Sequence, residues 1–494
     1  MHNMKRFISI LLAAALTLSL TACDKADNNP ESSGENSSAQ NGSSTEQSTT
    51  AEENEPIANT GLTELTSTVR YNISPSCGTE TGMYYMEPER IGRSNGYLMY
   101  IDYATKQEIY VCADSSCKHD SERCTSYFSN GEFFIRDNSC MFSYGGSLYY
   151  LSLPNNNDGG VGTQPSSVWD GDERDRALYR MNLDGSNRER VFTFDKDIAV
   201  DSFVAGDGND LWFYVRTPVV EYNEKTKLYY RNSKDKAMIR LSLSERTIVE
   251  RIPLKNNDRL DHYNILGCTD GKFIFSVYEY PEGITINNIF EIETDRDRTA
   301  KPIFSDPRLE EIRQKTDEVI FTLDTKTKET KEIFRYNYVD GYGYRYYFSG
   351  DIMYICDYND DSAIELNILT GEQTAHEHFS PEDDYRVFDM LDGRFVFQPY
   401  DGMDGPRYFS DPSTGELTKT ELPSPTWPDR SIVESVVTFG GGYVLILGEE
   451  IYIENKHFGI GGSYFKYYVM TTDDFFNGVD NLMPVKVNER ENAI

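Results

Sequence analysis

The sequence predicts an all-β chain folded as a β-propeller, and three observations predict it. The chain carries 35 Tyr and 26 Phe against 3 Trp, and Tyr and Phe favour strands. A glycine-bearing turn followed by a short alternating aromatic and aliphatic run recurs at Gly82, Gly146, Gly208, Gly271, Gly350, Gly393 and Gly442. These runs lead into a second signature of strand, polar turn and strand, with examples at Met99, Leu178, Ile239, Ile320, Ile364 and Tyr408. Strand and turn alternating at a repeat of roughly 40 to 65 residues is the cue for a propeller blade.

Each element has a local reason. Asp-Gly and Thr-Gly supply the positive backbone angles that tight hairpins need. Strict alternation places one side chain of every two between stacked blades. Seven glycine-led strands give seven blades, with six and eight as the bracketing counts. The long step from Gly271 to Gly350 holds either an insertion around Asn287 to Thr316 or an eighth, degraded blade. Helical periodicity is scarce, and the best stretch is Pro307 to Val319. Ring closure is expected between a strand near Ser67–Ile73 and the chain end near Phe465–Val487. A β-sandwich array or two smaller β-domains is the competing architecture.

The N-terminus is an address. Lys5 and Arg6 precede an uncharged run from Phe7 to Leu20, so residues 1–22 read as a secretory signal, too short and wrongly flanked for a spanning helix. Leu20-Thr21-Ala22-Cys23 resembles the lipobox of bacterial lipoproteins. That resemblance implies cleavage before Cys23, lipid on its thiol, and a chain tethered to the extracytoplasmic face of the cell membrane. An ordinary secretory signal with a chance cysteine is the alternative. Residues 23–60 then form a flexible stalk, because Ser, Asn, Glu, Gln, Thr and Gly bury too little surface to offset ordering entropy. Residues 61–494 are left for the propeller.

The formal net charge is −33, and losing Lys5 and Arg6 with the signal leaves about −35. The charge argues against nucleic acid as a partner, since phosphate binding needs clustered Lys and Arg. Electrostatic docking to anionic lipid is disfavoured too. An acidic, exposed surface is explained by solubility.

Leu178 to Asn187, LYRMNLDGSN, resembles the core of YWTD and TolB-like propeller repeats. With its lipobox and acidic stalk, the whole chain resembles surface lipoproteins of Gram-positive anaerobic bacteria. The likeness runs from about Gly82 to Val487, but Trp is missing where a strict repeat has it. It implies the fold and the address, and no specific activity.

The densest chemical feature is Cys112, Cys117, His119 and Cys124, three thiols and an imidazole in one short stretch. Cys₃His is a known tetrahedral zinc set, although C-x₄-C-x-H-x₄-C is not a standard finger spacing. In the resembled lipoproteins this pattern is a family marker without an assigned role. Disulfides are the competing reading for an exported chain, and free thiols a third. Besides Cys23 there are seven cysteines, so one at least stays unpaired. Cys77 and Cys140 are near enough in sequence to pair with the cluster, whereas Cys268 and Cys356 read as small buried apolar residues.

Weaker signals are acidic loops at Asp170–Asp175, Asp357–Asp361 and Asp401–Gly405. Asp401 and Asp404 are the best pair for calcium among them, and solvated turns are the ordinary reading. His376 and His378, two apart, would share one face of a strand, a geometry that zinc can use, with exposed strand positions as the ordinary reading. Serine-hydrolase elbows, P-loops, HExxH and Rossmann fingerprints are absent from the sequence. Two functions follow. One is a non-enzymatic surface propeller that binds a ligand, peptide, glycan or envelope protein, with the Tyr-rich stretch Tyr336–Tyr347 either lining its funnel or packing between blades. The other is an extracellular glycan- or peptide-processing hydrolase or lyase with carboxylates at the propeller mouth.

Overall fold

The computed structural model describes residues 61–66, 75–88, 96–119, 123–128, 139–153, 161–162, 176–255, 257–295, 306–337, 344–357, 361–382, 384–399, 405–452 and 463–487. The chain divides into two units, Met1–Glu53 and Asn54–Ile494, and every described residue lies in the second. The signal, Cys23 and the stalk therefore fall outside the described residues.

Seven antiparallel sheets follow one another along the chain, each built on a four-stranded meander, with one further short strand on the first and two on the third. The first strands are Ser76–Gly78, Cys140–Tyr144, Ala199–Asp207, Leu260–Thr269, Arg345–Ser349, Tyr385–Leu391 and Val436–Gly440. The fourth strands are Gln107–Tyr110, Glu189–Phe194, Thr247–Pro253, Thr330–Asn337, Gln373–His376, Leu417–Thr420 and Met483–Pro484. The sheets are blades one to seven. Every glycine-led run of the sequence is a second strand, reached by a tight turn from the first. Six of the seven glycines sit at positive φ, from 59° at Gly350 to 79° at Gly442, where side-chain-bearing residues are strained. Gly82 serves differently: a Cβ there would lie 2.1 Å from the Ile101 carbonyl oxygen.

The core consists of apolar layers between neighbouring blades. Met86 and Leu98 meet Met141 and Tyr150 between blades one and two. Phe142 and Leu178 meet Phe213 and Ile239 between two and three. Trp212 and Tyr214 meet Phe273 and Phe275 between three and four. Ile274 and Ile320 meet Met353 and Ile355 between four and five, and Tyr354 meets Phe395 between five and six. Val396 and Phe409 meet Val444 and Met470 between six and seven. Val437 and Leu445 meet Met83 and Met99 between seven and one. Seven layers between seven sheets close a ring, which excludes the sandwich and two-domain alternatives.

Blade seven is complete in its own four strands, and the expected strand near Ser67–Ile73 lies outside the described residues. At the outer rim, Lys486 accepts from the Glu108 amide at 3.1 Å and donates to the Lys106 carbonyl at 2.9 Å. At the inner turns, the Gly441 amide donates to Glu80 Oε2 at 2.9 Å. The preceding segment instead gives a short strand, Thr63–Glu64, paired antiparallel to Ala199–Asp207 on the free inner edge of blade three.

The step from Gly271 to Gly350 holds an insertion in blade four rather than an eighth blade. Two helices, Ile286–Asp295 and Pro307–Arg313, lie between its second and third strands. Asp306 caps the second helix and Pro307 opens it, as fixed φ and a missing N–H allow there. It stops well short of Val319, because Asp317–Asp324 pairs with Lys272–Glu279. The first helix, unforeseen from sequence, stacks Phe290 on Tyr230 at 4.4 Å.

Candidate metal centre

Blade one builds this site by interrupting its own outer edge. Gln107–Tyr110 pairs with one end of Gly96–Asp102. The chain then leaves, and Tyr127–Phe128 returns to the other end of the same strand. The excursion carries Cys112, Cys117, His119 and Cys124. Its stem is held by the Val111 amide on the Leu98 carbonyl at 2.9 Å and by Ser126 Oγ on the same carbonyl at 2.8 Å. Blade two braces it from outside: Arg188 donates to the Tyr127 carbonyl at 3.2 Å and lies 4.1 Å over the Phe128 ring.

Within the excursion the four groups converge. One ligand atom from each lies within 4.8 Å of all the others. His119 Nδ1 is 3.2 Å from Cys124 Sγ, and the His119 amide donates to Cys117 Sγ at 3.4 Å. A tetrahedron with 2.3 Å Zn–S bonds has an edge of roughly 3.8 Å, so a set spread over at most 4.8 Å needs to draw in by up to about 1 Å around one ion. Asp114 shapes the turn, accepting from the Ser116 amide at 2.8 Å and hydroxyl at 2.7 Å. His119 takes a left-handed backbone, φ 55°, and its ring stacks on Tyr110 at 4.2 Å and 13°. That stack fixes the imidazole plane with Nδ1 toward the thiols.

The thiols are unequal. Burial acts to raise Cys112, but hydrogen bonds with Asp114 and Thr125 outweigh it and bring it down to about 7. Burial, reinforced by Cys112 and Cys117, pushes Cys124 up to about 12. Thiolate is the metal-binding form, and a cation among the sulfurs would favour it at all three. Three sulfurs and one imidazole are a borderline-soft donor set that suits zinc. Among the described residues this is the one group of three or more His, Cys, Asp and Glu whose donor atoms converge.

The remaining expectations resolve individually. None of the seven described cysteines is in a disulfide. Cys77 sits on the first strand of blade one, at the opposite edge of that sheet from the excursion, and Cys140 on the first strand of blade two; neither is bonded to the cluster. Cys356 is buried, and burial pushes its thiol up to about 12. Asp401 and Asp404, and the acidic run Asp170–Asp175, lie outside the described residues. His376 and His378 do not share a site: His376 Nε2 is 3.5 Å from Glu365, while His378 Nδ1 is 4.0 Å from Asp361. At either end of the Tyr-rich stretch, Tyr336 and Tyr346 join through their hydroxyls, and Tyr336 also bonds Glu318. This is packing between blades four and five, and residues 338–343 lie outside the description.

No family model and no curated protein matches the sequence. Among solved structures, the chain is similar to an oligogalacturonate lyase from Vibrio parahaemolyticus, at 11% identity over 69% of this chain and 74% of that one, TM-score 0.36. It is similar to a puromycin hydrolase at 10% identity, over 82% of this chain and 52% of the other, TM-score 0.38, so it spans about half that enzyme's length. The β-propeller domain of the trilobed protease from Pyrococcus furiosus, described as having an open velcro topology, gives 8% identity over 85% and 98%, TM-score 0.36. Neither activity nor substrate carries over at such scores.

Proposed function

We propose that this chain is a lipid-anchored, extracytoplasmic β-propeller that works as a binding platform, with zinc in the Cys112, Cys117, His119, Cys124 set clamping its first blade. The observation that carries the reading is the completeness of that donor set. Four protein ligands saturate a tetrahedral zinc ion, whereas catalytic zinc keeps a position open for water or substrate. The only convergent metal-capable group among the described residues therefore suits a staple, and its place on an outer edge braced by blade two suits the same role.

Loop lengths support the platform. In a four-stranded meander, the first-to-second turns share one face of the ring with the third-to-fourth turns. The first-to-second turns are all tight. The second-to-third connections leave from the opposite strand ends, and three of them are long in sequence, at 153–175, 280–316 and 453–462. Extra length concentrated on one face of a rigid scaffold is how recognition surfaces are built. The anchor rests on Cys23 at the end of its apolar run.

The test combines metal content, turnover and address. Native mass spectrometry of the purified protein should show one zinc-sized increment, lost with chelator and in Cys117→Ser. Metal-dependent turnover of an oligogalacturonide or peptide substrate that disappears in Cys117→Ser would overturn the staple. Cys23→Ser should move the chain from the membrane fraction to the soluble one, and unchanged fractionation would remove the anchor.

A further inference from the structure

The short strand Thr63–Glu64 has a chemistry of its own. It lies on the free edge of the first strand of blade three, the edge that faces the ring's axis. The Leu65 amide donates to the Val204 carbonyl at 2.9 Å, and the Val204 amide donates to Thr66 Oγ1 at 3.1 Å. Successive side chains on a strand point to opposite faces, so residues three apart point oppositely. Leu62 accordingly packs into the layer between blades three and four, and Leu65 into the layer between blades two and three. Glu64, on the same side as Leu62, comes close to Gly267 of blade four, whose missing side chain leaves room: a Cβ there would be 3.7 Å from Glu64 Oε2. The inner edge of blade three thus has a main-chain ladder, an apolar notch on each side and a clearance for one polar residue between them.

We infer that this edge is a strand-accepting site for an extended peptide of the pattern Leu-x-x-Leu, and that the chain's own 62–66 segment is its resident, exchangeable occupant. Strand addition takes affinity from backbone bonds and specificity from the pockets for alternate side chains. The resident's hold is short: Thr63 and Glu64 pair with the edge, Leu65 and Thr66 add one main-chain and one side-chain bond to Val204, and both leucines are only partly buried. It competes well because it is tethered, at an effective concentration in the millimolar range typical of short connections. A free partner binds when it matches the leucine spacing and outcompetes or displaces that tether. The inference depends on neither the zinc staple nor the lipid anchor, so failure of either leaves it standing.

The test uses the full chain. In Leu62→Asp/Leu65→Asp the resident can no longer fill the notches. A synthetic peptide spanning residues 60–67 should bind this variant at least tenfold more tightly than it binds the unaltered protein. The same peptide with both leucines replaced by aspartate should bind neither. Equal affinity for variant and unaltered protein, or no binding to the variant, overturns the site. A second measurement covers a variant that fails to fold. A protease sequence is inserted after Tyr71 of the unaltered chain and cut after folding. The N-terminal fragment should stay with the ring and be released by excess peptide. A fragment that no excess peptide displaces, or a ring that unfolds on cutting, makes the strand a permanent part of the fold and overturns exchange.

Discussion

Arg407 is wholly buried and yet charged. It donates to Glu434 at 3.1 Å and to the Gly405 carbonyl at 3.0 Å, tying the third strand of blade six to the Ile432–Ser435 turn that leads into blade seven. Removing Arg407 leaves Glu434 with Arg430 at 3.4 Å as its remaining cation, so the cost is that of lost charged hydrogen bonds, roughly 1–3 kcal/mol, and not that of a stranded charge. Arg407→Met should lower unfolding stability by about that amount, read by urea titration. Tyr336 poses the same question with a neutral donor. Its hydroxyl serves the buried Glu318 carboxylate, and burial, ahead of the charge of Glu318, drives its phenol far above the ordinary range. Tyr336→Phe removes the donor but keeps the ring, so the expected loss is roughly 1–3 kcal/mol. A loss indistinguishable from zero would mean that the neighbouring Tyr346 hydroxyl satisfies Glu318 in its place.

The element that departs most from a plain blade is the hairpin of blade three, Asp210–Asn223 and Leu228–Ser242, which runs past its own sheet. Its extension leans on the inserted helix through Tyr230 and Phe290 and on a strand from blade two, Val161–Gly162. Glu221 pins it, accepting from Tyr230 at 2.5 Å and pairing with Lys234 at 2.9 Å. Burial alone would raise this carboxyl, but the hydrogen bonds from Tyr230 and Lys234 outweigh it and hold it below its ordinary 4.5. A carboxyl depressed in the folded state contributes in full above its unfolded value and loses that contribution as pH falls through the folded one. Amide protection of the hairpin extension should therefore drop in acid below about that 4.5 value. Glu221→Gln should show weaker protection at neutral pH and no such acid step.

For the whole molecule, the seam between the last and first blades decides whether the ring holds. Among the described residues it shares no named strand; it relies on the apolar layer of Val437, Leu445 and Val469 against Met83, Met99 and Ile101, on the Lys486 bonds to Lys106 and Glu108 at the outer rim, and on close backbone contact at the inner turns. A Cβ on Gly440 would lie 2.1 Å from the Thr79 carbonyl oxygen, and one on Gly441 would lie 2.0 Å from that of Glu80. Gly440→Ala must push the seam apart, with an overpacking cost of roughly 1–3 kcal/mol or more. Amide exchange should then rise first in Ser76–Gly78 and Val436–Gly440. Uniform loosening around the ring would show that the seam is no weaker than the other six layers.

The sequence by itself determined the blades. Gly146, Gly208, Gly271, Gly350, Gly393 and Gly442 mark turns that need positive φ, and the period-two runs after them can bury a face only as strands, so strand count and blade count were legible locally. It determined the Cys112–Cys124 cluster as well, because four metal-capable residues so close in sequence stand out in any fold. Tertiary structure decided what local pattern does not encode. The split of blade one's outer edge, which brings Cys112 and Cys124 within reach of one ion, depends on where Tyr127–Phe128 returns along Gly96–Asp102. The separation of Cys77 from that cluster depends on strand order across a sheet. Helix Ile286–Asp295 packs Ile286, Ile289 and Phe290 against Tyr280 and Ile312 of blade four and stacks Phe290 on Tyr230 of blade three, partners that a ten-residue window does not reveal. The place of Thr63–Glu64 at the ring's axis was invisible for the same reason: two residues carry no periodic signal, and only the assembled notches between three blades tell Leu62 and Leu65 where to go.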